Sequence, residues 1–343
     1  MPNFGLHLEH MVLRLLQYKA PIKGQLKACL AAVVVLTSKT HALSADPSKG
    51  FAIFARNVMR GNQRCFSRVA DDLAQRGLPN GARVLDLGAS AGEPSLTIAS
   101  RGFRVVSTDF APPNKALGAT RAAAFGLSDR VEFHTADAQD LSRWGDGTFD
   151  ACVGTYVLMF TPDVERVCRE VRRVLKPGAP FITTVWQPPA KVNMFGAGLM
   201  KTVLALREAG QLPKPDPANP PANPCNLADS VPGALGDALA NAGFGRVAAE
   251  EWSYPIVIAG ADVDDVAARF LEGTPFHNDI LDAGGAPLLQ EARRLLASNV
   301  AGFDMVDLAD HVPEWAGVDN PDGLAKGLLF PTNTCLYVTA VAP

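Results

Sequence analysis

What most constrains the fold is an alternation that begins near Pro47. Short β-rich runs at Arg83–Leu87, Arg104–Asp109, Val131–His134, Phe149–Gly154 and Pro180–Trp186 are each followed by a stretch of helical periodicity. Strands separated in this way cannot pair as hairpins. Their crossovers make βαβ units, and hence a parallel sheet. Two further strands are expected at Arg246–Ile258 and Leu328–Val341. The expected fold is α/β: a seven-stranded, mostly parallel sheet with helices on both faces.

The helix after the fourth strand is the clearest. Thr161 can cap it, Pro162 suits its first position, and Asp163 and Glu165 favour its positive end. Val164, Val167, Cys168, Val171, Val174 and Leu175 make one apolar face, and Lys176-Pro177-Gly178 ends it. Residues 187–228 and 259–327 are too long for plain connections, so they read as helical insertions after strands five and six. Both leave the carboxyl ends of parallel strands, the edge where open α/β sheets bind ligands. They are the natural roof of a substrate pocket.

Residues 1–45 read as an appendage to a domain spanning 46–343. They hold five basic residues and one acid, with Phe4, Leu8, Met11, Leu15 and Tyr18 at helical spacing. The apolar run Ala28–Leu36 is too short to cross a bilayer, where about 20 residues are needed. Three readings stay open: a cleaved organellar presequence, a helix in peripheral contact with a membrane surface, or helices packed on the domain. The compartment is accordingly intracellular, cytoplasmic or organellar.

Charge narrows the function classes. The net charge of −3 combines +7 over residues 1–64 with −10 over the rest, an acidic body with no footprint for a phosphate backbone. Nucleic acid is not an expected partner, and no oligomer is specified. The six cysteines (Cys29, Cys65, Cys152, Cys168, Cys225, Cys335) lie far apart without metal-ligand spacing. They are expected as buried thiols, with neither disulfide nor metal site.

The chemistry sits in Val84-Leu85-Asp86-Leu87-Gly88-Ala89-Ser90-Ala91-Gly92-Glu93, an apolar strand running into a glycine loop with a helix behind it. Such loops admit a ligand close to the backbone. The dinucleotide fingerprint G-x-G-x-x-G needs glycine where Ser90 and Glu93 stand, and Glu93 would also repel a pyrophosphate. Asp86 suits a cationic amine. Asp109, ending the second strand, can accept ribose hydroxyls, and Asp137, after the third, an adenine amino group. An amino acid, a ribose and an adenine together make S-adenosylmethionine.

On these residues the sequence resembles the class I S-adenosylmethionine-dependent methyltransferases, in particular the ubiquinone/menaquinone C-methyltransferase group and related small-molecule enzymes. The resemblance rests on Val84–Gly92, Thr108-Asp109, Ala136-Asp137-Ala138, Phe149-Asp150 with Leu158-Met159-Phe160, and Arg173–Gly178. It implies a Rossmann-like fold. It implies that Asp86, Gly88 and Gly92 line the methionine end of the cofactor, Asp109 the ribose, and Asp137 with Ala138 the adenine, with Ala89, Ser90 and Phe110 as further cofactor-binding residues. Thr155 and Tyr156 are expected to face the sulfonium. The family often has glycine where this chain has Ser90, a change read as tolerable because serine is small.

The acceptor is expected to be a small organic molecule. A Pro-Pro-aromatic turn for planar amines is missing after strand four, where Gly154-Thr155-Tyr156-Val157 stands instead. Substrate-side candidates are Met159, Phe160, Trp186, Asn193, Phe270 and Phe276. The segment Thr274-Pro275-Phe276-His277-Asn278 reads as a break between helices that forms a lid. His277 is the candidate general base, and Tyr156 a second catalytic candidate. Two alternatives stand beside methyl transfer: an NAD(P)-dependent oxidoreductase on a similar sheet, and a non-catalytic methyltransferase-like subunit.

Overall fold

The computed structural model describes residues 53–54, 56–215, 227–228, 233–312 and 322–343. The expected appendage 1–45, Cys29, Cys225 and most of the Pro- and Asn-rich stretch 213–226 of the first insertion lie outside them. A 3-10 turn at Met59–Asn62 leads into α1 (Gln63–Gln75). Then come β1 (Arg83–Leu87), α2 (Ser95–Ser100), β2 (Arg104–Asp109), α3 (Pro112–Ala124) and β3 (Val131–Thr135). They are followed by β4 (Ala151–Thr155), α4 (Val164–Val174) and β5 (Pro180–Trp186). The first insertion holds a π-helical segment (Met194–Met200) that continues into α5 (Lys201–Glu208), and then α6 (Ala234–Asn241). Beyond β6 (Gly245–Ala259), the second insertion holds α7 (Val263–Glu272), α8 (Phe276–Val300), β7 (Met305–Asp307) and α9 (Leu308–His311). The chain closes the sheet with β8 (Lys326–Val341).

The strand order is β3-β2-β1-β4-β5-β8-β6. The first five strands are parallel, and β8 runs antiparallel to both β5 and β6. Side chains alternate across the sheet, as the pleat requires. Val84, Val105, Val153 and Ile182 pack with Val69 and Leu73 of α1 and Leu96 and Ile98 of α2. Leu85, Leu87, Cys152, Phe181 and Val185 pack on the other face against Val167 and Val171 of α4 and Leu235 and Leu239 of α6. Each large side chain so buried contributes about 1.5–3 kcal/mol. Cys65, Cys152, Cys168 and Cys335 are free thiols, all buried. Among the described residues no helix is long and apolar enough to cross a membrane.

Several expectations are corrected. The seven expected strands all form, and a short eighth, β7, joins them. β8 is long, and only Cys335–Val341 pairs with β5, so its first residues would leave an open edge. β7 fills that edge, with Met305 opposite Leu328 and Asp307 opposite Lys326. The cap of α4 is Asp163 rather than Thr161. Its carboxylate accepts from the Arg166 N–H at 2.9 Å, whereas the Thr161 hydroxyl donates back to the Leu158 carbonyl at 2.8 Å. The break before α8 is also shorter than expected: Phe276, His277 and Asn278 already belong to the helix. A sharper break comes later, at Gly285 (φ 66°), where two helical pieces meet at an angle.

β6 and β8 outlast the rest of the sheet and carry the second insertion. Their extended ends join α5, α7 and α8 in an apolar cluster that includes Ile256, Ile258, Phe270, Leu296 and Phe330. Below it the 3-10 turn is pressed against β6. A Cβ on residue 61 would run into the Val257 carbonyl oxygen, so Gly61 is set by close approach. We expect Gly61→Ala to lower stability by about 1–3 kcal/mol through overpacking, read as a shift in the urea midpoint.

Candidate active site

The glycine loop joins β1 to α2, and its backbone explains its residues. Gly88 has φ 62°, and a Cβ there would collide with the Val157 side chain, which sits on it from the turn after β4. Gly92 has φ 103°. Ser90 also lies in the left-handed region, at φ 49°. Its departure from glycine is therefore a matter of backbone strain, not of size as expected. Such a conformation costs on the order of 1–3 kcal/mol, and here the Ser90 N–H donates to Asp109 Oδ2 at 2.9 Å.

The loop is braced from outside by a buried polar network. Arg121 of α3 donates to the Ala91 carbonyl at 2.7 Å and pairs with Glu93 at 3.3 Å. The other Glu93 oxygen accepts from the Thr97 hydroxyl at 2.7 Å, and Gln63 of α1 donates to that hydroxyl at 3.0 Å. The expectation that Glu93 repels a negative ligand is thereby corrected, because Arg121 neutralises it.

Asp86 is fully buried near the carboxyl end of β1. The Ser95 hydroxyl donates to Oδ2 at 2.6 Å, while Oδ1 has no partner among the described residues. Burial pushes its carboxyl up to about 8, with the charges of Glu93 and Asp109 adding to the effect. Asp109 is half-buried and also raised, chiefly by burial, against backbone N–H groups that favour its charged form. Its Oδ1 accepts from the Ala111 N–H at 2.8 Å. Phe110 beside it is exposed, with 59% of its surface open. Asp137 is exposed past the end of β3 and accepts from the Gln139 N–H at 2.9 Å, while Ala138 is half-buried.

The turn after β4 differs from expectation. Thr155 and Tyr156 are both buried, and Tyr156 is left-handed at φ 57°. The Tyr156 ring stacks on Trp186 with centroids 3.9 Å apart. Its hydroxyl is bound to the Tyr254 hydroxyl and lies 3.6 Å from Cys65 Sγ. Burial holds that phenol well above its ordinary range. The side chain is therefore anchored in the interior, bonded to Tyr254 and stacked on Trp186. Asp86, Asp109 and the glycine loop are brought together; the turn reaches them through Val157.

The substrate-side candidates divide. Trp186 and Phe270 are core side chains, Phe270 packing near Phe195 and Phe330. Met159 and Phe276 are half-buried against the same cluster, and Phe160 is exposed. Asn193 fastens its loop to β8, its Oδ1 accepting from the Thr332 N–H at 2.8 Å. His277 is half-buried in the first turn of α8, and its Nδ1 is buried without a hydrogen bond. Burial lowers its basicity; Glu272 opposes that and Arg293 adds to it. Residues that sequence reasoning missed are Ser95, Arg121, Tyr254 and Asn62. Among the described residues no cluster of potential metal ligands occurs.

The raised Asp86 fixes a pH dependence. A carboxyl higher in the folded than in the unfolded chain keeps its proton longer when folded. Its contribution to stability is complete below the ordinary carboxylate range, near 4, and is lost as pH rises to about 8. The melting temperature of the ligand-free protein should therefore fall from pH 5 to pH 8. Asp86→Asn, which cannot ionise, should flatten that slope in a calorimetric series.

Residues 85–183 match the family described as a methyltransferase domain. The chain is 35% identical over 105 residues to a sterol 4-C-methyltransferase of Caenorhabditis elegans, covering 31% of each protein. It is 38% identical over 126 residues to the demethylmenaquinone methyltransferase of Thermus thermophilus, covering 36% of this chain and 55% of that one. The matched segment thus spans about a third to about half of these relatives. A solved phosphoethanolamine N-methyltransferase 2 of Haemonchus contortus, in complex with phosphomonomethylethanolamine and S-adenosylhomocysteine, aligns at 16% identity. That alignment covers 80% of this chain and 52% of the other, with a TM-score of 0.42. The glycine loop after β1 and the acid ending β2 lie within the segment 85–183 that matches the methyltransferase domain family, and the antiparallel β8 between β5 and β6 completes the sheet around it.

Proposed function

We propose that the protein transfers a methyl group from S-adenosylmethionine to a small organic acceptor held beneath the two insertions. The observation that carries this reading is the buried Asp86 oxygen left without a partner beside the glycine loop. A buried carboxyl in that state is a place for a cationic group, which would satisfy the orphan oxygen and favour ionisation. The relatives named for a sterol and for demethylmenaquinone support a small-molecule acceptor. In this reading residues 46–343 form the catalytic domain and residues 1–45 an appendage.

When bound, the cofactor supplies a methyl group on a sulfonium, a carbon already activated for in-line displacement. Everything else falls to the chain. Asp86 takes the amino group of the methionine end, with Gly88, Ala89, Ser90 and Gly92 giving it a close backbone. Each Asp109 oxygen accepts one backbone N–H and keeps capacity for a ribose hydroxyl. Asp137, Ala138 and Phe110 receive the adenine. Thr155 and Tyr156 shape the methyl-transfer side through their backbone. Met159, Phe160 and Phe276 serve the acceptor, walled by Trp186, Phe270 and the Asn193 loop. Holding donor and acceptor in line supplies about 7–11 kcal/mol of the barrier reduction. His277, kept neutral by burial, accepts the proton that the acceptor's nucleophilic atom sheds.

Turnover of methyl-labelled S-adenosylmethionine over a fractionated small-molecule extract tests the reading; no label transfer to any fraction would overturn it. Asp109→Ala should weaken S-adenosylmethionine binding at least tenfold by calorimetry, since bonds to a charged group are worth about 1.5–3 kcal/mol. With the acceptor in hand, His277→Ala should lower kcat/KM at least tenfold with cofactor affinity nearly intact. That loss should shrink as pH rises and the acceptor ionises unaided. A loss constant with pH would assign His277 to packing.

A further inference from the structure

The turn after β4 presents a puzzle that the proposed chemistry does not absorb. Tyr156 is bulky, not glycine, yet it is held at φ 57° next to the cofactor loop. Its side chain enters a chain of buried groups. Tyr254 of β6 donates its hydroxyl proton to Asn62 Oδ1 at 2.7 Å. The proton shared by the two tyrosines therefore comes from Tyr156, and the order of donation is Tyr156 to Tyr254 to Asn62. Asn62, Tyr156 and Tyr254 are all buried, with Asn62 fully so. The Tyr254 ring is itself fixed, stacked on Trp252 with centroids 4.5 Å apart.

This anchor sits one residue from the loop. Val157, which follows Tyr156, is the side chain that a Cβ on residue 88 would strike. The placement of the turn and the shape of the glycine loop are thus one packing problem. The Tyr156 N–H donates to the Thr184 carbonyl at 2.9 Å, which fixes the start of the turn but not its left-handed exit. The side chain beyond it is held by its stack on Trp186 and by its hydroxyl bond to Tyr254.

We propose that Tyr254, seated by Asn62, is a positioning residue for the cofactor site: its hydroxyl holds Tyr156 left-handed, and so sets Val157 against Gly88. Tyr254 comes from β6, the strand that carries the second insertion, so the same contact ties the acceptor roof to the cofactor loop. The two tyrosines act as a unit. Removing either hydroxyl frees the turn, and removing the second adds nothing. This inference rests on the S-adenosylmethionine reading of the glycine loop.

The test is a double-mutant cycle on the full chain, with S-adenosylhomocysteine as the probe and calorimetry as the readout. Tyr254→Phe and Tyr156→Phe keep both rings, so the stacks on Trp252 and Trp186 survive. Each single variant should raise the Kd at least fivefold, and the double variant should bind no worse than the weaker single. Asn62→Ala should reproduce the loss by unseating Tyr254. A purely structural role gives a different pattern: melting temperatures fall while Kd stays at the wild-type value. Wild-type Kd in both tyrosine variants, or losses that multiply in the double variant, would overturn the proposal. A wild-type chain that binds no S-adenosylhomocysteine would overturn the cofactor reading, and this proposal with it. Wild-type binding with unaffected variants would overturn this proposal alone.

Discussion

A carboxyl group lies inside the sheet at a point where apolar side chains would otherwise seal it. Asp86 stands between Leu85 and Leu87 on β1, opposite Ser107 on β2 and Val153 on β4, with no exposure to solvent. Burying such a group charged and unpaired is costly, so burial raises its carboxyl and favours the protonated form. The parts around it are arranged to make that tolerable. Ser95, at the start of α2, binds one oxygen, and the other has no hydrogen-bond partner among the described residues. Glu93 is neutralised by Arg121 rather than left to repel its neighbour. Three helices are drawn into this support: α1 through Gln63, α2 through Ser95 and Thr97, and α3 through Arg121.

The other half of the site depends on length. β6 and β8 extend past the ends of the parallel strands, and the ladder between them continues to Ala259 and Gly327. This projecting ribbon gives the second insertion a surface to pack on. A register shift between Tyr254 and Ile256 interrupts this ladder. Tyr254 therefore sits where sheet, roof and cofactor loop meet. The π-helical segment of the first insertion serves the same packing: a Cβ on residue 198 would press on Val300 and Leu296. Gly198 lets that segment approach α8 closely.

How much was legible in the sequence follows from how local each signal is. The strands of the parallel half, the glycine loop and the acids at 86, 109 and 137 are set by runs of a few residues, and these were readable. Periodicity also placed α4, but not its cap. Thr161 and Asp163 are both good caps, and only the observed backbone shows which carboxylate or hydroxyl reaches the first free N–H. β7 was missed because three residues carry no period. It exists because β8 left an edge to be filled, which no local pattern records.

The sequence by itself determined the α/β class, the glycine loop and the acids on and after the first three strands, because each depends on neighbours a few positions apart. Tertiary structure decided what those residues are asked to do. Tyr156 looked like a group facing the reaction, and its partner Tyr254 stands 98 positions away on another strand. Glu93 looked like a repulsive charge, and the guanidinium that cancels it stands 28 positions on. Neither partner is marked by spacing or composition, since a hydrogen bond across the fold needs only that two atoms arrive at the same place. The chain order says which groups exist; the packing of β6 and α3 decides which of them are left free to act.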